Sequence, residues 1–132
     1  MPQGLLRGPG LPMITTEQAR EFAEEWIEAW NAHDLDRILA HYADDIEMTT
    51  PFIVQVMGEP TGTLRGKDKV GAYWAAALER VPDLRFELVD VLSSVNSITI
   101  YYKAVFGKMG AELLFLNAEG KVNKSVAHYD EV

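Results

Sequence analysis

One carboxylate stands apart from the others by its surroundings. Glu112 lies in the run Ala111–Leu116 (AELLFL), a strand-like stretch otherwise apolar on both faces. Turned inward, its side chain would lose its water. Desolvation disfavours the charged form and lifts the pKa toward neutrality, where a carboxyl can act as general acid or base. Near the strand end it would simply be solvated. Asp44, Asp45 and Glu47 follow a helical stretch and read as a capping and solvated cluster rather than a catalytic pair. His33 falls in a helix corner and is expected to be structural or exposed, and His41 is expected to face outward. Val126 and His128 share one face of the last strand, with Ser125, Ala127 and Tyr129 on the other. A His128–Glu112 acid/base pair would need the face of Val126 and His128 to turn inward. The three histidines lack His-x-His or Glu-x-x-His spacing, so no metal and no cofactor is expected. With no cysteine there is no thiolate chemistry and no disulfide.

The elements that must position Glu112 begin with a helix. Thr15 and Gln18 have capping-box spacing. From there Ala19, Phe22, Ala23, Trp26, Ile27 and Trp30 repeat at steps of three and four, up to about Asn31. Asp34 is a good N-cap for a second helix, Leu35 to about Tyr42, whose apolar residues are Leu35, Ile38, Leu39 and Tyr42. Ile46 to Thr50 alternates as a short strand and stops at Pro51. The stretch 51–66, with Gly58, Pro60, Gly62 and Gly66, reads as a long, partly apolar loop or a short hairpin over an opening. A third helix is expected over Lys67 to Arg80, burying Val70, Tyr73, Trp74, Ala77, Leu78 and Val81, and ended by Pro82.

Four strand-like runs follow, Leu84–Leu92, Ser97–Phe106, Ala111–Leu116 and Lys121–Tyr129. In the second, Ile98, Ile100, Tyr102, Ala104 and Phe106 share one side. Helices first and a meander last predict an α+β domain, a cone of three N-terminal helices packed in a strongly curved, mostly antiparallel sheet. Facing rings of Trp26, Trp30, Tyr42, Tyr73 and Trp74 leave either a packed core or a cavity. Rigid rings suit a flat apolar ligand.

The order from Trp30 to Asp45, WNAHDLDRILAHYADD, resembles the opening of the SnoaL-like, ketosteroid-isomerase-like branch of the nuclear-transport-factor-two-like superfamily. The resemblance extends in element order over about Thr15 to Tyr129. It implies a cystatin-like α+β barrel, with Trp26, Tyr42 and Tyr73 on the pocket wall and Ser125, Ala127 and Tyr129 inside. It places His128 on a face used for pairing, together with Thr99, Tyr101, Lys103, Val105 and Val126, and so implies a homodimer. In an isomerase-type comparison the acid tyrosine falls on Trp26 and the base aspartate on Thr50. Neither can do that chemistry, since a threonine hydroxyl does not take a carbon-bound proton at neutral pH. The second carboxylic acid falls near Glu112, which survives in kind, so ketosteroid isomerase activity itself is not expected.

At 132 residues, 48% of them hydrophobic, the chain fits one domain, expected over 14–132 behind an N-terminal extension, 1–13. That extension lacks the apolar centre of a signal peptide. A formal charge of −8 argues against nucleic acid as a partner. No apolar run reaches the roughly 18 residues of a membrane span, and a cytoplasmic location is expected. The reading is a hydrophobic small-molecule protein, with Glu112 the acid/base and Thr50, Tyr73, Tyr102 and Tyr129 orienting ligand oxygens beside Trp26, Trp30, Tyr42 and Trp74. It would be a cofactor-independent isomerase, cyclase, hydrolase or dehydratase on a hydrophobic or polyketide-like substrate. The alternative is a non-catalytic binder of a hydrophobic molecule. A pure dimerisation module would not need so aromatic an interior.

Overall fold

A computed structural model describes residues 13–132, so all of the expected N-terminal extension except Met13 lies outside the described residues. Ile14 is buried, and its N–H donates to the Val95 carbonyl at 3.1 Å. Helix α1, Thr16–Asn31, starts at the expected capping box: Thr15 Oγ1 accepts from the Gln18 N–H and Gln18 Oε1 from the Thr15 N–H, both at 3.0 Å. Its buried stripe includes Phe22, Trp26 and Trp30, one face at helical spacing.

Asp34 caps helix α2, accepting from the Arg37 N–H at 3.2 Å, but the helix stops at Leu39 rather than Tyr42. Tyr42 instead opens strand β1, Tyr42–Thr49, because the chain there is taken up by a distant partner: the Val122 N–H donates to the His41 carbonyl at 2.9 Å.

The stretch expected to be a loop holds a fourth helix. Helix α3, Pro51–Met57, is capped by Thr50, whose hydroxyl accepts from the Phe52 N–H at 3.3 Å, and it ends at Gly58 with φ of 70°. Pro at the first helical position and a left-handed glycine at the end are start and stop signals. Strand β2, Thr63–Arg65, follows, and then helix α4, Lys67–Arg80, as expected. Val70, Tyr73 and Trp74 are buried on α4, while Ala77, Leu78 and Val81 are half-buried.

Strands β3 (Glu87–Ser93), β4 (Ser97–Lys103), β5 (Met109–Leu116) and β6 (Val122–Tyr129) complete one sheet in the order β2-β1-β6-β5-β4-β3. All neighbours are antiparallel except β1 and β6, so the α+β sheet is mixed and mostly antiparallel. Helix α1 packs on β3 near one edge of the sheet and α4 on β1 near the other. Alternation turns Ile98, Ile100 and Tyr102 inward, with Glu112 and Leu114, and Ser125 and Ala127, beside them. Tyr101, Lys103 and His128 are exposed on the outer face, with Thr99 and Val126 half-buried there. Val105 does not join that face. The chain leaves the strand at Ala104, and Val105–Gly107 form a tight turn in which Phe106 takes φ of 59° and is 79% exposed. Among the described residues no helix is long and apolar enough to cross a membrane.

Candidate active site

Glu112 sits in the middle of the inner face of β5, opposite Ile100 of β4 and Ala127 of β6, and is 3% exposed. One pleat away on each side a hydroxyl reaches it. Tyr102 donates to Oε1 and Ser125 to Oε2, each at 3.1 Å. The Tyr102 bond depends on a glycine. Tyr102 pairs directly with Gly110, and a Cβ on Gly110 would come within 2.9 Å of the phenol ring carbon Cζ. The ring therefore lies down over the bare backbone toward Glu112 two residues on. Burial pushes the Glu112 carboxyl up from 4.5 to about 7, against the two hydrogen bonds that favour the charged form.

Two further phenols, Tyr73 and Tyr129, share the cavity lining with Tyr102 and Glu112. Burial, followed by neighbouring charge or hydroxyl groups that include Glu112, raises the pKa of all three phenols. They stay neutral at any physiological pH and keep their O–H groups as donors.

The carboxyl lines a cavity of about 280 Å³. Trp26 and Trp30 of α1 and Tyr73, Trp74 and Ala77 of α4 form its helical walls, with Phe86 on a further side. Trp26 stacks on Phe86 at 5.8 Å between ring centroids and meets Tyr102 edge-on at 5.3 Å, so the walls brace one another. The exposed lining residues Gln55, Arg80 and Phe106 mark the mouth. Polar groups stand at the Glu112 end and, with Gln55 and Arg80, at the mouth, and the lining between them is mainly aromatic and aliphatic, a division that orients a ligand.

Of the side chains singled out in the sequence, Glu112, Trp26, Trp30, Tyr73, Trp74, Tyr102 and Tyr129 meet around this one space. Tyr42 and Thr50 do not line it. Tyr42 packs edge-on to Trp74 at 4.6 Å, and its hydroxyl accepts from Trp26 Nε1 at 2.9 Å, so its polar end is used inside the core. Thr50 is fully buried as the cap of α3, one layer behind Tyr73 and Tyr129.

The histidines stay out of the site. His33 has φ of 55°, and its Nε2 lies 2.8 Å from the Leu84 carbonyl oxygen. His41 does not face outward as expected: its ring packs edge-on against Phe22 at 5.2 Å, and burial lowers its pKa. His128 is exposed on the opposite face of the sheet from Glu112. Asp44 and Asp45 are exposed, and Glu47 lies 3.4 Å from Arg65. Among the described residues no three His, Asp or Glu side chains cluster as metal ligands.

Sequence reasoning missed Phe86, Phe106, Gln55 and Arg80. Gln55 was hidden in a stretch read as loop, and Arg80 carried only the signal of a helix end. Phe86 precedes a strand that starts at Glu87 rather than Leu84, and Phe106 follows a strand that ends at Lys103.

The family model for the SnoaL-like domain matches residues 23–122. No curated protein matches the sequence. A SnoaL-like protein of unknown function from Burkholderia thailandensis is 50% identical over 89% of this chain and 98% of its own, with a TM-score of 0.86. A candidate isomerase of the SnoaL-like family from Agrobacterium tumefaciens is 21% identical, over 87% of this chain and 99% of its own, with a TM-score of 0.70. IdmH from Streptomyces antibioticus, a candidate polyketide cyclase, is 16% identical over 86% of this chain and 92% of its own, with a TM-score of 0.71. The latter two share the fold, and a cystatin-like protein from Methylobium petroleophilum shares it as well. With the family model spanning most of the described residues, the chain belongs to the SnoaL-like family.

Proposed function

We propose that the protein is a cofactor-independent enzyme that moves a proton on a flat, largely apolar, oxygen-bearing substrate, in the manner of an isomerase or cyclase. The observation that carries this reading is the buried Glu112 carboxyl on a cavity wall with its pKa near neutrality. A group that is half ionised at neutral pH can take a proton and return it with little driving force lost in either direction. In the charged form Glu112 accepts a proton from the carbon next to a substrate carbonyl. The electron pair moves onto the carbonyl oxygen, which the neutral phenols of Tyr73 or Tyr129 can hold by donating hydrogen bonds. The protonated Glu112 then returns the proton to another carbon or to an oxygen formed by ring closure. With Thr50 where an isomerase-type base would stand, Glu112 is, among the described residues, the single carboxyl on the cavity lining, and both halves of the transfer fall to it.

The test needs no knowledge of the natural substrate. Aryl ketones such as tetralone and acetonaphthone are incubated with the protein in heavy water, and deuterium entry beside the carbonyl is followed by NMR. The parent is expected to exchange the proton faster as pH rises through about 7. Glu112→Gln is expected to lose roughly a hundredfold or more of that rate while still binding the ketone.

A second reading, a non-catalytic binder of hydrophobic molecules, is favoured by a cavity lining that, among the described residues, carries no second carboxylate. Tight binding by the parent with no exchange at any pH would select it.

A further inference from the structure

The cavity has a charge at each end. Glu112 lies at the buried end, and Arg80 is exposed at the mouth and, among the described residues, is the one cation on the lining. Arg80 closes α4, where a cation is also favoured by the free carbonyls of the last helical turn. Its surroundings go beyond that role. The chain carries 20 acidic against 12 basic residues, and Glu79 and Asp83 are close by in sequence. Yet among the described residues the Arg80 side chain, like that of Arg85, forms no ion pair and no hydrogen bond, unlike Arg37 or Arg65. Its immediate neighbours on the lining, Val81 and Leu84, are apolar, and Gln55 brings an amide to the same mouth.

We propose that the substrate is a planar apolar molecule bearing a carboxylate, held with that carboxylate outward on Arg80 while its reacting carbonyl lies at Glu112. This rests on Glu112 being the reacting end, and it adds the substrate class and its orientation. A guanidinium presents a flat fork of donors that matches a carboxylate. At the mouth the ligand's charge keeps part of its water, so it avoids the cost of burial. The reverse orientation drives that charge into an apolar chamber and against Glu112. Entry and alignment are therefore set by one pair of opposite charges at the rim.

The experiment is calorimetric titration with naphthoate, naphthylacetate and biphenyl carboxylate, each beside its own primary amide, on the parent, Arg80→Gln and Arg80→Lys. The parent is expected to prefer each acid over its amide by roughly three- to tenfold, as a charge-assisted contact at an exposed rim allows. Added salt should shrink that preference. Arg80→Gln is expected to erase it without weakening the amides, Arg80→Lys to keep part of it, and neither to lower the melting point materially. Amides that bind the parent as well as the acids do, or an acid preference untouched in Arg80→Gln, overturn the proposal and leave the role of Glu112 standing. If neither acids nor amides bind the parent, the reading of the cavity as a ligand site fails, and this proposal falls with it.

Discussion

Glu112 and Glu25 are both carboxylates with a donor on each oxygen, and their environments drive them in opposite directions. Glu25, in the corner between α1 and α2, accepts Arg37 Nε at 2.8 Å and Nη2 at 2.7 Å, with His41 Nε2 3.4 Å away. Its side chain is 39% exposed, and the Arg37 hydrogen bonds lower its pKa. Glu112 has only neutral hydroxyls for partners, and burial outweighs them. A hydrogen bond from a neutral group steadies a carboxylate without cancelling its charge. Acidic residues that look alike in a sequence thus divide into an ion pair that holds two helices together and a proton store facing a cavity. What separates them is the kind of donor and the access of water.

The largest expected effect is on stability as a function of pH. Glu112 has a folded pKa above its unfolded value, so folding binds a proton between about 4.5 and about 7. Stability contributed by this group is complete below the lower value and is lost as pH rises through the upper one. The loss is about 3 kcal/mol by the usual conversion of a pKa shift. Glu112→Gln is expected to remove that slope and to be more stable than the parent at about pH 8, as read by urea denaturation. A parent whose stability stays flat across this range would place Glu112 in the same class as Glu25.

Gly110→Ala should have the next largest effect. The added methyl group meets the Tyr102 ring, which must shift and carry its hydroxyl off Glu112. Overpacking of this kind costs roughly 1–3 kcal/mol. Because the Tyr102 bond holds the Glu112 pKa down, its loss should move the midpoint of the pH–stability curve upward. Unchanged stability with an unchanged midpoint would show that Tyr102 has no part in tuning the carboxyl. The smallest effect is expected for Arg37→Ala. It breaks the bonds to Glu25 on a half-exposed surface and should lower stability only slightly, with no change in the ketone proton exchange.

The parts of the fold that could be read from the sequence were those with a local cause. The capping box at Thr15, the apolar stripe of α1 and the pattern of α4 each announce themselves within a few turns. Glu112 did so too, as the lone acid in an apolar strand. Helix α3 was hidden because Gly58, Pro60, Gly62 and Gly66 dominate the composition of its neighbourhood, although Thr50-Pro51 is a proper helix start. Tyr42 fits a helical stripe as well as a strand, and its pairing with Val122 lies 80 positions away in the chain. The partners of Glu112 are a matter of register, since Tyr102, Gly110 and Ser125 come together only when three strands align. Sequence spacing alone does not fix that alignment.

Asn31 has a consequence for how the chamber can move. Its side chain donates from Nδ2 to the Phe86 carbonyl at 2.9 Å and accepts the Phe86 N–H at 2.7 Å, while His33 holds Leu84 close by. This double clasp ties the end of α1 to the segment that carries Phe86, and the Trp30 and Phe86 rings also meet at 5.6 Å between centroids, so this side of the chamber is fastened by backbone-anchored bonds as well as by ring contact and resists opening.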